Sequence, residues 1–168
     1  MASQLQILAG TMADDGTGGS VSWTNPDNAK VSDGVYATVV LSSQGSHWLK
    51  ATNFGFSIPS GATINGIIVE IEGKSVGPYC GFNSFLVKAD GTISTTGRES
   101  AIPSTEAYIS YGSSTDLWGE TWDSTKINDV DFGVVSATPA FYNGTISIDH
   151  IRITVYYTEA SDFFLVLN

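Results

Sequence analysis

Apolar residues in this chain recur at every second position, and Gly, Pro, Asn-Gly or Asp-Gly interrupts almost every window long enough for a helix. Side chains two apart share one face of a strand, so this period restricts the chain to an all-β fold. Candidate strands run over Gln4–Leu8, Ser20–Thr24, Val35–Leu41, His47–Phe56, Ile64–Glu72, Phe82–Ala89, Ala107–Tyr111, Phe132–Ala137 and Thr145–Tyr157. Turn signals at Asp33-Gly34, Ile58-Pro59-Ser60-Gly61, Asp90-Gly91 and Asn143-Gly144 separate them, spaced as an antiparallel two-sheet β-sandwich of jelly-roll-like kind requires. Asn143-Gly144 is the strongest hairpin signal, because a type I′ turn needs positive φ at both central residues. Asp123–Asn128 is the one plausible helical turn.

Two strands show which faces are buried. Ile67, Val69 and Ile71 share one phase and face the opposite sheet, while Ile68, Glu70 and Glu72 hold the other and face water. In the last strand Ile146 and Ile148 keep one phase, but Ile151, Ile153, Val155 and Tyr157 keep the opposite one. The inward set therefore switches near Asp149-His150, which predicts a bulge there.

Charge narrows the partners. Lys and Arg total 7 against 17 Asp and Glu in 168 residues, a formal net charge of -10, and the isoelectric point is near 4.3. Seven scattered cations cannot neutralise a phosphate backbone, so nucleic acid is excluded as a partner, and anionic membrane surfaces are disfavoured for the same reason. No run approaches the roughly 20 apolar residues of a membrane helix, so no membrane insertion is expected. The opening MASQLQILAG lacks both the basic and the apolar region of a secretory signal. The Ser/Thr-rich, Lys-poor, Gly-rich texture is nevertheless that of a protein working outside cells. Synthesis in a host cytoplasm without a signal peptide, followed by release in a virion, reconciles the two. The single cysteine, Cys80, rules out an intramolecular disulfide.

The ends differ from the middle. Residues 1–19 read as an N-terminal arm and flexible linker, with the apolar Leu5, Ile7 and Leu8 followed by TMADDGTGGS. Residues 20–157 form the sandwich. Residues 158–168 are an apolar tail carrying Phe163, Phe164, Leu165, Val166 and Leu167, a hazard if left in solvent. The tail either folds back on its own domain or docks on a neighbouring subunit, so both arms are candidate interfaces of a homo-oligomer.

No residues are assigned to catalysis. His47 and His150 lie in no metal-binding or nucleophile motif. Glu70 and Glu72 are about 7 Å apart on one strand face, which is ordinary solubility patterning rather than two acids converging in a cleft. Asp14, Asp15, Asp27 and Asp33 offer hard oxygens for a structural calcium, but their spacing matches no defined calcium loop, so no metal ligand or other cofactor is assigned. Tyr108, Tyr111, Trp118 and Trp122 lie close together in sequence near Asp116, Glu120 and Asp123. Aromatic faces beside carboxylates make a sugar platform, and the competing account is core packing at one end of the sandwich.

The segments WTNPDNAKVSDGVYATVVL, LKATNFGFSIPSGATINGIIVEIEGK, DLWGETWDSTKINDVDFGVV and IDHIRITVYY together span Trp23 to Tyr157. In these the chain resembles β-sandwich proteins of tailed-phage structural genes and large bacterial surface proteins. The resemblance implies a non-enzymatic virion structural protein, such as a capsid decoration or a head or tail fibre component, in contact with other virion proteins. The alternatives are a carbohydrate-binding or host-attachment module that takes a host surface glycan, and a subunit of a self-polymerising surface filament.

Overall fold

The computed structural model describes residues 2–77 and 80–160. Its strands are β1 (Ala2–Leu8), β2 (Thr11–Asp15), β3 (Ala37–Ser42), β4 (Trp48–Thr52), β5 (Thr63–Val76), β6 (Gly81–Val87), β7 (Arg98–Ala101), β8 (Ala107–Ser113), β9 (Gly133–Ala137) and β10 (Asn143–Thr158). A short 3-10 turn, Pro26–Ala29, follows β2, and a single helical turn, α1 (Ser124–Ile127), precedes β9. The Asp123 carboxylate caps α1 by accepting from Lys126 N at 2.9 Å.

Two antiparallel sheets face each other. The first runs β1-β10-β5-β8, with β3 also paired to β10, and the second runs β2-β4-β9-β6-β7. The chain changes sheet at every connection except β6 to β7. Each inner face follows the period-two rule: Ile67, Val69 and Ile71 of β5 meet Ile146, Ile148, Ile151 and Ile153 of β10, all fully buried. Leu49, Phe82, Leu86 and Val134 supply the opposite wall. The expected bulge is present as a register shift between Ile148 and His150.

Three expectations are corrected. The stretch read as an arm and linker, residues 1–19, instead supplies two sheet strands, Ala2–Leu8 and Thr11–Asp15. β1 pairs with the last half of β10, from Ala2 opposite Tyr157 to Leu8 opposite Arg152, with a bulge between Gln4 and Ile7. β2 pairs with β4 along its whole length. The cause is the length of β10: β3 covers only its first half, and the remaining edge would leave its N–H and C=O groups unpaired. Ile7 packs on the core, while Leu5 and Leu8 stay 59% and 47% exposed.

Asn143-Gly144 is not a hairpin turn either. It opens β10, opposite Ser42 and Leu41 of β3, because β9 and β10 belong to different sheets and the chain must cross between them. Ser20–Thr24 forms no strand, only isolated bridges at Val21 and Thr24. The tail residues Phe163, Phe164, Leu165, Val166 and Leu167 lie outside the described residues.

Candidate functional site

The outward faces of the two sheets are built differently. On the first, Arg152 forks onto Glu70 at 2.9 and 3.1 Å and lies 3.9 Å over the Tyr108 ring. Lys74 Nζ donates to the Tyr36 hydroxyl at 2.7 Å, and that hydroxyl donates to Glu106 at 2.7 Å. Asp149 accepts from the backbone N–H groups of Asp33 and Gly34. Most of this face's charges are engaged with one another. Glu70 belongs to that ionic lattice, locked by Arg152, and Glu72 lies beside Tyr108 with Oε2 buried and without a hydrogen-bond partner.

The second sheet carries half-buried aromatic rings on its outward face. In β4, Leu49 and Ala51 point inward while Trp48 and Lys50 take the outward phase; in β6, Phe82, Ser84 and Leu86 point inward while Asn83 and Phe85 point outward. Between them lies β9, where Val135 pairs with both Lys50 and Phe85. Val135 and Ala137 share this outward face and yet are buried. They are covered because Trp48 and Phe85 lean together over β9, their ring centres 5.7 Å apart and nearly perpendicular at 80°. Phe85 also presses on Gly97, where a Cβ would meet the ring at 2.6 Å.

A cavity lies on each side of this pair. The larger, about 470 Å³, has Trp48, Asn83 and Ala137 as its floor. Gly18–Ser20, Gly45, Ser46 and Thr138–Ala140 complete its lining, with Ser46 hydrogen-bonded to Thr138. The smaller, about 330 Å³, is lined by Asn83, Phe85, Thr95, Gly97, Arg98 and Glu99. Asn83 belongs to both. Gly18 is needed for the approach of its loop, since a Cβ there would lie 2.7 Å from Trp48 N. Thr138 is buried and its hydroxyl has no hydrogen-bond partner, although its N–H donates to Ser46 Oγ at 3.0 Å.

The electrostatics are nearly neutral. Arg98 donates to both Asp116 oxygens at 2.9 and 2.7 Å, and Lys50 sits 3.9 Å from Asp15. Hydrogen bonds from the Thr17 hydroxyl and N–H hold the Asp15 carboxyl below its usual value. For Asp116 burial pushes upward, but Arg98 and the Trp118 N–H outweigh it and the net direction is down. Both carboxylates are therefore ionised partners of these cations at neutral pH.

The four aromatic residues picked from sequence do not form a platform. Trp118 is fully buried and its indole N–H donates to Ile67 O at 3.0 Å. Tyr111 is buried as well. Trp122 is 7% exposed, donates to Leu117 O at 2.9 Å and packs edge-on against Phe132. It borders a third cavity of about 310 Å³. Tyr108 lies on the other sheet, hydrogen-bonded to His150 Nδ1 at 2.8 Å. Packing thus accounts for the three buried rings, because an indole with no exposed face has nothing to stack on.

The four aspartates are taken up singly. Asp14 binds His47 and the Trp23 N–H, Asp15 binds Thr17, Asp27 pairs with Lys30, and Asp33 accepts from Val35 N. Cys80 is buried, and burial raises its thiol above the usual value.

Trp48, Asn83 and Phe85 were not among the residues picked from sequence. The available signal was phase: each ring occupies the polar phase of an otherwise alternating strand, beside Lys50 or Asn83.

No protein-family model matches the chain, and no curated protein matches it. Among solved structures it is similar to one titled "BiXyn10A CBM1 APO", at 12% identity and a TM-score of 0.46 over 88% of this chain and 98% of that one. It is also similar to the C-terminal CBM6 of LamC, a laminarinase from Zobellia galactanivorans, at 16% and 0.42 over 91% and 99%. A third is the CBM22-1 xylan-binding domain from Paenibacillus barcinonensis Xyn10C, at 10% and 0.40 over 95% of each. At these identities the likeness is one of two-sheet architecture, and the site rests on this chain's own geometry.

Proposed function

We propose that the chain is a non-catalytic glycan-binding module that uses the outward face of its second sheet. The observation that carries this reading is the Trp48–Phe85 pair, set on an open sheet face between two cavities that meet at Asn83. Aromatic faces take the C–H face of a sugar ring, and an amide and a hydroxyl beside them select its hydroxyl groups. The bordering cations are already engaged by Asp15 and Asp116, so the fitting ligand is a neutral glycan rather than a sulfated or uronic one. The two carboxylates at the ends of this face fit binding without hydrolysis. Asp15 and Glu99 stand on the outermost strands β2 and β7, about 19 Å apart at four strand spacings, too far for a glycosidase pair.

This reading takes precedence over assembly through two terminal arms, because Ala2–Leu8 is committed to β10 within its own sheet. A host-attachment domain on a phage particle would use the same face. The test is retention in native gels containing xylan, laminarin, mannan or cellulose derivatives. Wild-type protein is expected to be retarded by at least one neutral polysaccharide, and W48A to migrate as in an empty gel. Equal migration of wild type in all gels overturns the reading.

A further inference from the structure

One large side chain beside this site has no packing role. Phe141 is 88% exposed, the most exposed large apolar residue among those described, and its backbone sits at φ 98. A bulky residue at positive φ is strained, and strain persists where the surroundings fix it and function uses it. The surroundings here are specific. Phe141 directly follows Ala140, the last lining residue of the larger cavity. Backbone hydrogen bonds hold the segment on both sides, from Ser46 N to Thr138 O and from Ser43 N to Tyr142 O, each 3.0 Å. The Tyr142 hydroxyl lies over Gly81, 3.7 Å from where a Cβ would stand, and Gly81 shares the outward phase of Asn83.

Resting on the glycan reading, we propose that Phe141 is a specificity-determining residue of the same site. It is an outlying stacking ring on the lip of the larger cavity that extends the surface beyond Trp48. The site then grips an internal stretch of a neutral chain rather than one sugar unit. Trp48 supplies the contact every ligand needs, and Phe141 adds a contact that only longer ligands reach.

Calorimetric titration tests this with xylo-, laminari- and manno-oligosaccharides from monosaccharide to hexasaccharide, on wild type, W48A, F141A, F141W and F141G. Wild-type affinity is expected to climb with chain length. F141A should lose about tenfold for the longest chains, bind the shortest as wild type does, and be rescued by F141W. F141G should bind like F141A yet melt above wild type, since glycine relieves the positive φ; a residue with only a structural role would not separate binding from stability in this way. Wild-type affinities at every length in F141A overturn the proposal, as does a uniform loss at all lengths. A change of oligomeric state by sedimentation on F141A also overturns it, by making the ring a self-association contact. Binding that W48A abolishes while F141A leaves intact sinks only this inference; no binding by wild type sinks the glycan reading itself.

Discussion

Trp118 and Trp48 are the same residue type with opposite assignments: Trp48 holds the outward phase of β4, whereas Trp118 lies in the connection after β8 and is packed inside. Trp118 lies wholly inside, its indole N–H satisfied by Ile67 O, so W118A should cost about 3–5 kcal/mol in urea unfolding, as large aromatic truncations in cores do. Trp48 is half-buried and, with Phe85, covers Val135 and Ala137, so W48A should cost about 2 kcal/mol, less than W118A, while removing retention by polysaccharide. His150 gives a pH signature. Burial, followed by the nearby Arg152, lowers its pKa from the ordinary 6.5. The unfolded chain therefore takes up the proton first, so this contribution to stability is full above about pH 6.5 and is lost as pH falls toward the depressed folded value. H150F should flatten the unfolding midpoint over that window, and an unchanged slope would contradict the assignment. At this scale the sequence was legible for phase and not for depth. Period two identifies Ile67, Val69 and Ile71 as inward, but Trp118 and Trp122 lie in a connection with no period, where only tertiary packing decides exposure.

At the level of elements, β1 closes an edge that β10 would otherwise present to solvent. Deleting residues 2–8 should lower the thermal midpoint and speed amide exchange in Arg152–Tyr157, without altering polysaccharide retention, because the second sheet does not contain β1. Unchanged exchange there would contradict the pairing. Gly18 is a second element-scale test. G18V should displace its loop from Trp48 N and weaken retention with little loss of stability, read by the same gels. Most strands and the bulge at Asp149 were legible because both follow from alternation, whereas β2 and β7 went unread and Ser20–Thr24 alternates without forming a strand. The Asn143-Gly144 hairpin was misread because a turn signal reports local backbone preference, whereas this chain crosses between sheets at nearly every connection. β1 and β2 looked like an arm and a linker because acidic and Gly-rich residues suit an edge strand and a cleft wall as well as they suit a flexible segment.

Over the whole molecule, the two outward faces divide the work. The first is a closed ionic lattice of Glu70, Arg152, Lys74, Glu106 and Tyr36, and the second carries paired rings over two cavities with its cations neutralised. A net charge of -10 repels anionic polymers and leaves uncharged ones unaffected, so retention by a neutral polysaccharide should be almost insensitive to salt. The central claim is that the second face, and not the first, meets the glycan. Its most direct test is an amide and indole NMR titration of the full chain with soluble xylan, laminarin and mannan fragments. The account predicts that shifts cluster at Trp48, Asn83, Phe85 and Thr138–Phe141. Shifts centred on Tyr108 and Glu70, or no shifts with any of the three, would contradict it.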